Sequence, residues 1–444
     1  MSSLIFKKKK LTSFRIIILS FSSVILLGTI LLMLPISSKE GVVTPFMDAL
    51  FTSTSAVCVT GLVVHDTATY WSQFGQIIIM ILIQIGGMGV VTFAVLFSII
   101  SGKKISLMQR STMQEAISAP KVGGIVRLTG FIVKMTIIIE LLGAIIMAPV
   151  FCYDYGIKGI WMALFHSISA FCNAGFDVMG TNEPFSSMTS YAMNPVINIT
   201  LILLIVVGGI GFLTWDDIKT NTLHFHKYRM QSKVIICTTL VLIIFPAVYF
   251  YFNEFQSLPL KERILASVFQ SVTLRTAGFN TVNFGLLSEA GLFIMIVMML
   301  IGGSPGSTAG GMKTTTIAVL FGTAVSTFLR KEHIHFFKRR IDDDVVKNAA
   351  TIFLMYITLF LSGGIIISIV EGLPITDCLF ETASAVGTVG LSLGITPSLG
   401  IISRLILILL MFFGRVGGLT LIFAAVSGTQ SNVSKLPREK ITVG

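Results

Sequence analysis

The sequence predicts an all-α polytopic membrane protein, with four span–pore-helix–span repeats arranged in pseudo-fourfold symmetry around a central pore. The composition is that of a membrane protein, because 54% of the 444 residues are hydrophobic and only 12% are charged. Apolar runs alternate with segments rich in Ser, Thr and Ala whose length, roughly 10–14 residues, is that of a re-entrant helix. Each such segment ends in a glycine-containing loop, and the four glycines are 114, 103 and 112 residues apart.

The spans are predicted from the apolar runs. Each run is long enough to cross a hydrocarbon core of about 30 Å. The runs lie at 14–36, 73–99, 128–150, 194–214, 233–252, 286–301, 348–370 and 400–427.

The four glycine loops lie between the two spans of each repeat, at Cys58–Leu62, Cys172–Phe176, Arg275–Phe279 and Gly387–Leu391. Non-helical backbone at membrane depth is tolerated only where protein buries it or where it lines a wet cavity. We therefore expect the four loops to meet on the central axis.

The fourth loop indicates the chemistry of the pore. Thr388, Val389 and Gly390 match the first three residues of the potassium-channel filter motif Thr-Val-Gly-Tyr-Gly. Such a filter replaces the water shell of an ion with backbone carbonyl oxygens. The predicted ion-binding residues are Val59, Thr60, Gly61, Asn173, Ala174, Gly175, Thr276, Ala277, Gly278, Thr388, Val389 and Gly390.

A gate is predicted below this filter, in the second span of repeat 3. The segment 302–313 contains five glycines and a proline, so it cannot remain a regular helix. We expect a flexible loop in mid-membrane. The predicted gate residues are Gly302, Gly303, Ser304, Pro305, Gly306, Ser307, Thr308, Ala309, Gly310, Gly311, Lys313 and Arg415.

Arg415 is assigned to the gate because it is an ionisable residue inside an apolar span. A guanidinium beneath the filter would oppose the passage of cations, and Lys313 would add a second positive charge. The alternative is a buried ion pair with Glu140 or Glu381. Arg404 and Lys134 are interpreted as snorkelling residues near helix ends.

The charge distribution predicts the orientation. Most of the 32 Lys and Arg residues lie in the N-terminus, in the segments that join the repeats and in the tail. The positive-inside rule then places both termini in the cytoplasm and the filter loops toward the outside. The net charge of +11 thus reflects topology and gives no case for nucleic-acid binding.

These assignments divide the chain into nine units that alternate between cytoplasmic segments and pore repeats. The units are the N-terminus 1–13, repeat 1 at 14–100, a linker at 101–127, repeat 2 at 128–217, a linker at 218–232, repeat 3 at 233–329, a linker at 330–347, repeat 4 at 348–427 and the tail 428–444.

Two other function classes were weighed. A secondary carrier for another solute can be built on broken helices, but carriers usually have two broken segments rather than four filter-like loops. A membrane serine hydrolase is suggested by Gly302–Gly306, which fits the G-x-S-x-G pattern. Pro305 has no N–H to donate to an oxyanion, so this motif does not predict an enzyme.

The repeats, the Asn-Ala-Gly-Phe and Thr-Ala-Gly-Phe loops, the glycine-rich break and the arginine of the last span together resemble the Trk/Ktr/HKT superfamily of potassium transporters. The resemblance covers essentially the whole chain. Only about 13 residues precede the first span, whereas Trk-type members carry an extra pair of spans there, so the chain is most similar to the KtrB-type membrane subunits of bacterial Ktr systems.

The resemblance implies potassium uptake across a bacterial plasma membrane by a homodimer with one pore per subunit. It also implies control by a cytoplasmic ring of RCK subunits, which bind the regulatory nucleotide, and contact with membrane lipid. No cofactor is expected in this chain. Potassium is the expected substrate ion, and whether sodium or protons are coupled to its uptake is left open. Sodium-conducting relatives tend to have serine at the first filter glycine, so glycine at all four positions favours potassium.

Overall fold

A computed structural model describes residues 12–101, 105–117, 123–181, 183–222, 224–418 and 420. The predicted N-terminal unit 1–13 therefore lies almost wholly outside the described residues. The tail 428–444 and Lys103, Lys104 and Lys121 of the first linker lie outside them as well.

The described chain is helical apart from one short hairpin, and its helices follow the four repeats. Repeat 1 contains α1 (Ser13–Met33), α2 (Phe46–Val57), α3 (Gln73–Met88) and α4 (Val90–Ile100), followed by the linker helix α5 (Leu107–Ala116). Repeat 2 contains α6 (Ile125–Tyr155), α7 (Lys158–Phe171), α8 (Pro195–Gly209) and α9 (Phe212–Asn221).

The second half of the chain is built in the same way. Repeat 3 contains α10 (Met230–Tyr249), which a π-turn at Phe250–Glu254 extends, and then α11 (Leu260–Thr273), α12 (Glu289–Met299) and α13 (Thr314–Phe328). The antiparallel strands β1 (His335–Phe336) and β2 (Arg339–Arg340) precede repeat 4, which contains α14 (Asp343–Glu371), α15 (Ile375–Gly387) and α16 (Ile401–Val416).

In each repeat a long outer helix is followed by a short buried helix. Helices α1, α6, α10 and α14 are long and apolar enough to cross a membrane on their own. The short helices α2, α7, α11 and α15 have 12 to 14 residues, which confirms the predicted re-entrant length. Three of the short helices begin directly after a proline, at Pro45, Pro259 and Pro374. Proline suits this position because the first N–H of a helix has no intrahelical partner.

A hydroxyl group fastens three of these pore helices to the first helix of their own repeat. Ser53 donates to the carbonyl of Ile25 at 2.7 Å, and Ser167 donates to the carbonyl of Glu140 at 2.6 Å. In repeat 3 the same position is Ser271, which donates to the carbonyl of Ile243 at 2.5 Å. These bonds satisfy buried hydroxyl groups within an apolar layer, where an unpaired polar group is costly.

The second spans of repeats 1 and 2 are bent, which the apolar runs did not predict. Helices α3 and α4 form a pair bent by 94°, and α8 and α9 form a pair bent by 97°. The bends lie at Gly89 and Gly211, whose φ angles of 86° and 93° are outside the helical region. Glycine is the residue that adopts such angles at little steric cost. With each bent pair counted as one span, the described residues contain six candidate spans.

The packing order closes the four repeats into a ring. Helix α3 of repeat 1 packs on α7 of repeat 2, and α8 of repeat 2 packs on α11 of repeat 3. Likewise, α12 of repeat 3 packs on α15 of repeat 4, and α16 of repeat 4 packs on α2 of repeat 1. Each second span thus covers the pore helix of the next repeat, as the predicted pseudo-fourfold symmetry requires.

An ion pair links the first and last repeats at this closure. Arg404 on α16 lies 2.6 Å from Asp48 on α2, and both side chains are mostly buried. His65 contacts the other carboxylate oxygen of Asp48 at 2.9 Å. The interpretation of Arg404 as a snorkelling residue is therefore wrong, because its guanidinium is held by a carboxylate of the neighbouring repeat. Lys134, in contrast, is exposed on α6.

We expect Arg404→Met to destabilise the protein, because it leaves the mostly buried Asp48 without its cation, at a cost of about 3–5 kcal/mol. The melting temperature of detergent-purified protein should fall by several degrees. Lys347→Met is the matched control, since Lys347 pairs with Asp344 on an exposed surface. An Arg404→Met protein that melts with the wild type would show that the pair does not hold repeats 1 and 4 together.

Candidate functional site

The four pore helices end at one place, where the chain leaves helical geometry in the same way each time. The residue two positions before the loop glycine has a left-handed backbone in every repeat, although none of the four is a glycine. The φ angles are 51° at Val59, 57° at Asn173, 63° at Thr276 and 53° at Thr388. The glycine that follows also has positive φ in each case, between 70° and 95°. A shared and sterically unfavourable conformation in four diverged sequences indicates a shared role.

The loop glycines form a closed ring with carbonyl oxygens of the next repeat. A methyl group built on Gly61 would lie 2.5 Å from the carbonyl oxygen of Ala174, and one on Gly278 equally close to that of Val389. A methyl group on Gly175 would lie 2.9 Å from the carbonyl oxygen of Ala277, and one on Gly390 would meet the carbonyl oxygen of Thr60. The neighbours follow the order 1–2–3–4–1, the same order as the helix packing. Any side chain at these positions would displace a carbonyl of the adjacent repeat.

Hydroxyl groups from the pore helices hold the loops in two different ways. In repeats 1 and 4, Ser55 and Ser384 accept the N–H of Gly61 and Gly390, each at 3.0 Å. In repeats 2 and 3 the hydroxyl donates instead to the carbonyl just after the glycine. These bonds run from Ser169 to Phe176 at 2.7 Å and from Thr273 to Phe279 at 2.5 Å. The ring is therefore only approximately fourfold, and sequence reasoning missed these hydroxyls because it examined the loops and not the helix turn before them.

The predicted gate segment packs directly against one side of this ring of loops. Between α12 and α13 the chain forms a folded-back loop, in which Gly302 donates to the carbonyl of Met312 at 2.8 Å. The loop is attached to the bend of repeat 2, because Ser304 donates to the carbonyl of Gly209 at 3.0 Å. Thr308 donates its hydroxyl to Asn173 of the second filter loop at 2.9 Å. The expected loop in place of a helix is present here, and its predicted flexibility and gating role stay predictions.

Arg415 binds three carbonyl groups that belong to two different repeats. Its guanidinium donates to the carbonyl of Thr308 in the gate segment, and to the carbonyls of Gly86 and Gly87 at the end of α3, the last at 3.0 Å. The side chain thereby joins the gate segment of repeat 3 to the bent span of repeat 1. A rigid fork of N–H donors is suited to such a bridge.

The alternative of a buried ion pair for Arg415 finds no support in the described part of the chain, where no carboxylate lies within ion-pair distance of it. Glu140 accepts instead from the amide of Gln84 at 3.2 Å. Glu381 accepts from the hydroxyls of Ser392 and Thr396. Arg415 thus keeps its positive charge without an acidic partner among these residues.

A cavity lies on each side of the filter loops. In the predicted orientation, the outer one, of about 400 Å³, is lined by the four loop glycines together with Asp66 and Asp177. The inner one, of about 240 Å³, is lined by residues that include Arg415, Lys313 and Glu115. The loops and the gate segment therefore separate a space lined by two acidic groups from a space lined by two cationic groups and one carboxyl group.

The outer cavity is less negative than its two carboxyl groups suggest. Burial raises the pKa of Asp177 to about 7, and the neighbouring Asp66 adds to this rise. The N–H of Met179 opposes it by a hydrogen bond of 3.0 Å to the Asp177 carboxyl. The carboxyl group of Asp66 is bound by the N–H groups of Thr69 and Phe185.

Comparison with known proteins gives the family. The model of the TrkH family, described as cation transport protein, matches residues 6–435. The potassium/sodium uptake protein NtpJ of Enterococcus hirae is 38% identical, over 98% of each chain. The Ktr system potassium uptake protein B of Bacillus subtilis is 37% identical, over 97% of this chain and 96% of the relative.

The fold is also found among solved structures. The potassium transporter TrkH from Vibrio parahaemolyticus is similar with a TM-score of 0.73, over 94% of this chain and 86% of that chain, at 18% identity. The family model extends over all four repeats, and the expectation of a transport protein rather than an enzyme agrees with it. The chain therefore belongs to the TrkH family of cation transport proteins.

Proposed function

We propose that this protein takes up potassium across the plasma membrane of a bacterium, through the pore at the centre of its four repeats. The observation that carries the proposal is the closed ring in which each loop glycine faces a carbonyl oxygen of the next repeat. Backbone oxygens around one axis replace the hydration shell of a cation. The four pore helices also end at this ring, and the negative end of a helix dipole favours cations.

Potassium is the ion that glycine at all four positions favours, and the relative named Ktr system potassium uptake protein B supports it. The relative NtpJ is named for both potassium and sodium. The carrier alternative is less well supported. The bends of repeats 1 and 2 are broken helices, as carriers have. They lie at the level of the gate segment, however, whereas the carbonyl ring is formed by four other loops.

The remaining parts of the proposal concern control. The gate consists of the segment 302–313 with Arg415, and it closes the inner side of the filter. Both termini lie in the cytoplasm, where an RCK-type ring that binds the regulatory nucleotide acts on a homodimer of this chain. Sodium is a candidate activating ion. The positive-inside rule supports the orientation, because basic residues are concentrated in the linkers.

The proposal is tested by rubidium uptake in cells that lack potassium transport, with and without sodium in the medium. We expect saturable uptake that depends on expression of this chain, since rubidium resembles potassium in size and charge. Cells that gain growth on an organic solute but no rubidium uptake would favour the carrier. Stimulation by sodium would identify sodium as a coupled or activating ion.

The filter assignment predicts the effect of Gly61→Ser. The new side chain meets the carbonyl oxygen of Ala174, so it should disturb the oxygen ring. We expect the ratio of rubidium to sodium uptake to fall at least about tenfold, which corresponds to about 1.4 kcal/mol. Gly124→Ser is the matched control, because Gly124, just before α6, has a similar φ of 81° but open space around it. Equal ratios in both variants would exclude Gly61 from the filter.

The gate assignment predicts the effect of Arg415→Ala. A fixed charge 5 Å from an ion costs about 3 kcal/mol at an effective dielectric constant near 20. Removing it should raise flux per assembled transporter about a hundredfold at most. Arg415→Lys should give a smaller increase, since it keeps the charge but cannot reproduce the bridge to Thr308, Gly86 and Gly87. Reduced assembly with unchanged flux per molecule would leave Arg415 a structural role only.

A further inference from the structure

One position of each pore helix carries a different polar residue in every repeat. It directly follows a phenylalanine that is fully buried in all four helices. The four polar residues are Thr52, His166, Gln270 and Glu381, and each has an exposed fraction of 1% or less. The residue that follows it is a small hydroxyl residue in all four repeats, whereas this position differs in chemistry from repeat to repeat.

In two repeats the side chain at this position reaches the chain that leaves the filter. The Nε2 atom of His166 accepts the N–H of Val178 at 3.2 Å. The amide of Gln270 donates to the hydroxyl of Thr281 at 3.2 Å. Val178 and Thr281 both lie three residues beyond the loop glycine of their repeat. In repeat 1 the hydroxyl of Thr52 has no such bond among the described residues.

Repeat 4 has the most extensive contact of this kind. One carboxylate oxygen of Glu381 accepts from the hydroxyl of Ser392, and the other accepts from the hydroxyl of Thr396 at 2.8 Å. The two hydroxyls are themselves 3.2 Å apart, and Ser392 also accepts the N–H of Gly394 at 2.8 Å. Ser392 lies two residues after Gly390 and lines the outer cavity. The carboxylate thus holds both ends of the turn that follows the fourth filter glycine.

We propose that Glu381 is a positioning residue that determines the ion selectivity of the filter through the fourth loop. The inference rests on the proposed potassium uptake and deepens it. Gly390 contacts the carbonyl oxygen of Thr60, where repeat 4 meets repeat 1 and the ring closes. A loop released from Glu381 would let Gly390 move away from this oxygen. Repeat 1 has no equivalent bond to compensate, since Thr52 makes none.

The chemistry of the side chain fits this role. A carboxyl group with an exposed fraction of 0% is costly at this depth unless both oxygens are bound, as they are here. Hydrogen bonds to a carboxylate are shorter and stronger than those between neutral groups. The alternative role of Glu381 as the partner of Arg415 is not supported, because both of its oxygens are bound on the outer side of the pore helix.

The experiment measures rubidium and sodium uptake per assembled transporter for four variants. We expect Glu381→Leu to lower the rubidium-to-sodium ratio about tenfold, the change that loss of one strong hydrogen bond corresponds to. Glu381→Gln should keep the ratio within about threefold, because an amide can accept from Ser392 and donate to Thr396. Thr52→Val is the matched control from repeat 1 and should leave the ratio unchanged. Thr396→Val, which removes a hydroxyl at constant volume, should lower the ratio.

A wild-type ratio in Glu381→Leu, or an equal loss in Thr52→Val, would overturn the inference. If Glu381→Leu does not assemble, Thr396→Val decides: a lowered ratio supports the role of Glu381, and a wild-type ratio overturns it. Gly390→Ser separates this inference from the proposed function. If Gly390→Ser loses selectivity but the Glu381 and Thr396 variants do not, the filter assignment stands and Glu381 has no role in selectivity. No rubidium uptake by the wild-type protein would reject the proposed function itself.

Discussion

The close approach of four glycines to four carbonyl oxygens is the constraint on which the rest of this structure depends. At Gly61, Gly175, Gly278 and Gly390 there is no room for a Cβ atom, since each faces the backbone of the next repeat. Such an approach requires pore helices that end at the same depth and second spans that cover the neighbouring repeat. The cyclic packing, the hydroxyl bonds to the first helix and the ion pair between repeats 1 and 4 all serve that requirement. The symmetry of the fold is thus a consequence of the geometry at its axis.

The asymmetry of the molecule lies on the inner side of this ring. Repeats 1 and 2 break their second span at Gly89 and Gly211, and α16 of repeat 4 ends at Gly417, which has nearly the same backbone angles. Repeat 3 replaces this break by the loop 302–313, and Arg415 connects that loop to repeat 1. Among the described residues the half-buried guanidinium of Arg415 binds only carbonyl groups, next to the segment that we propose as the gate. A symmetric set of four breaks would offer no single place where one side chain could control the pore.

The sequence was sufficient for the fold class because its signals are local and repeated. Apolar runs, short re-entrant segments and glycine loops each depend on a few neighbouring residues, and family membership then confirms the resemblance that those loops carry. The bends were missed because Gly89 and Gly211 lie inside apolar runs, where hydropathy does not distinguish a straight helix from one bent by more than 90°. The partner of Arg404 was missed for a different reason. Asp48 is more than 350 residues from Arg404 along the chain, and a contact of this kind is decided by the closure of the ring rather than by any local pattern.

The same distinction explains which site residues could be found. The loop glycines are recognisable in the sequence because a positive φ angle and the lack of room for a side chain both favour glycine. The residues that hold the loops leave no such trace, since Ser, Thr, Gln, His and Glu each perform the task in one repeat or another. These side chains share their type of partner. Each forms a hydrogen bond with an N–H, carbonyl or hydroxyl group of the loop or of the chain that follows it. Four copies of one motif can therefore keep the same oxygen ring while the residues that support the loops diverge. Because of these residues, loops with the same backbone can be held with different strengths. The proposed filter is made of one covalent chain, so each quarter of it can change separately, which is impossible in a pore of four identical subunits.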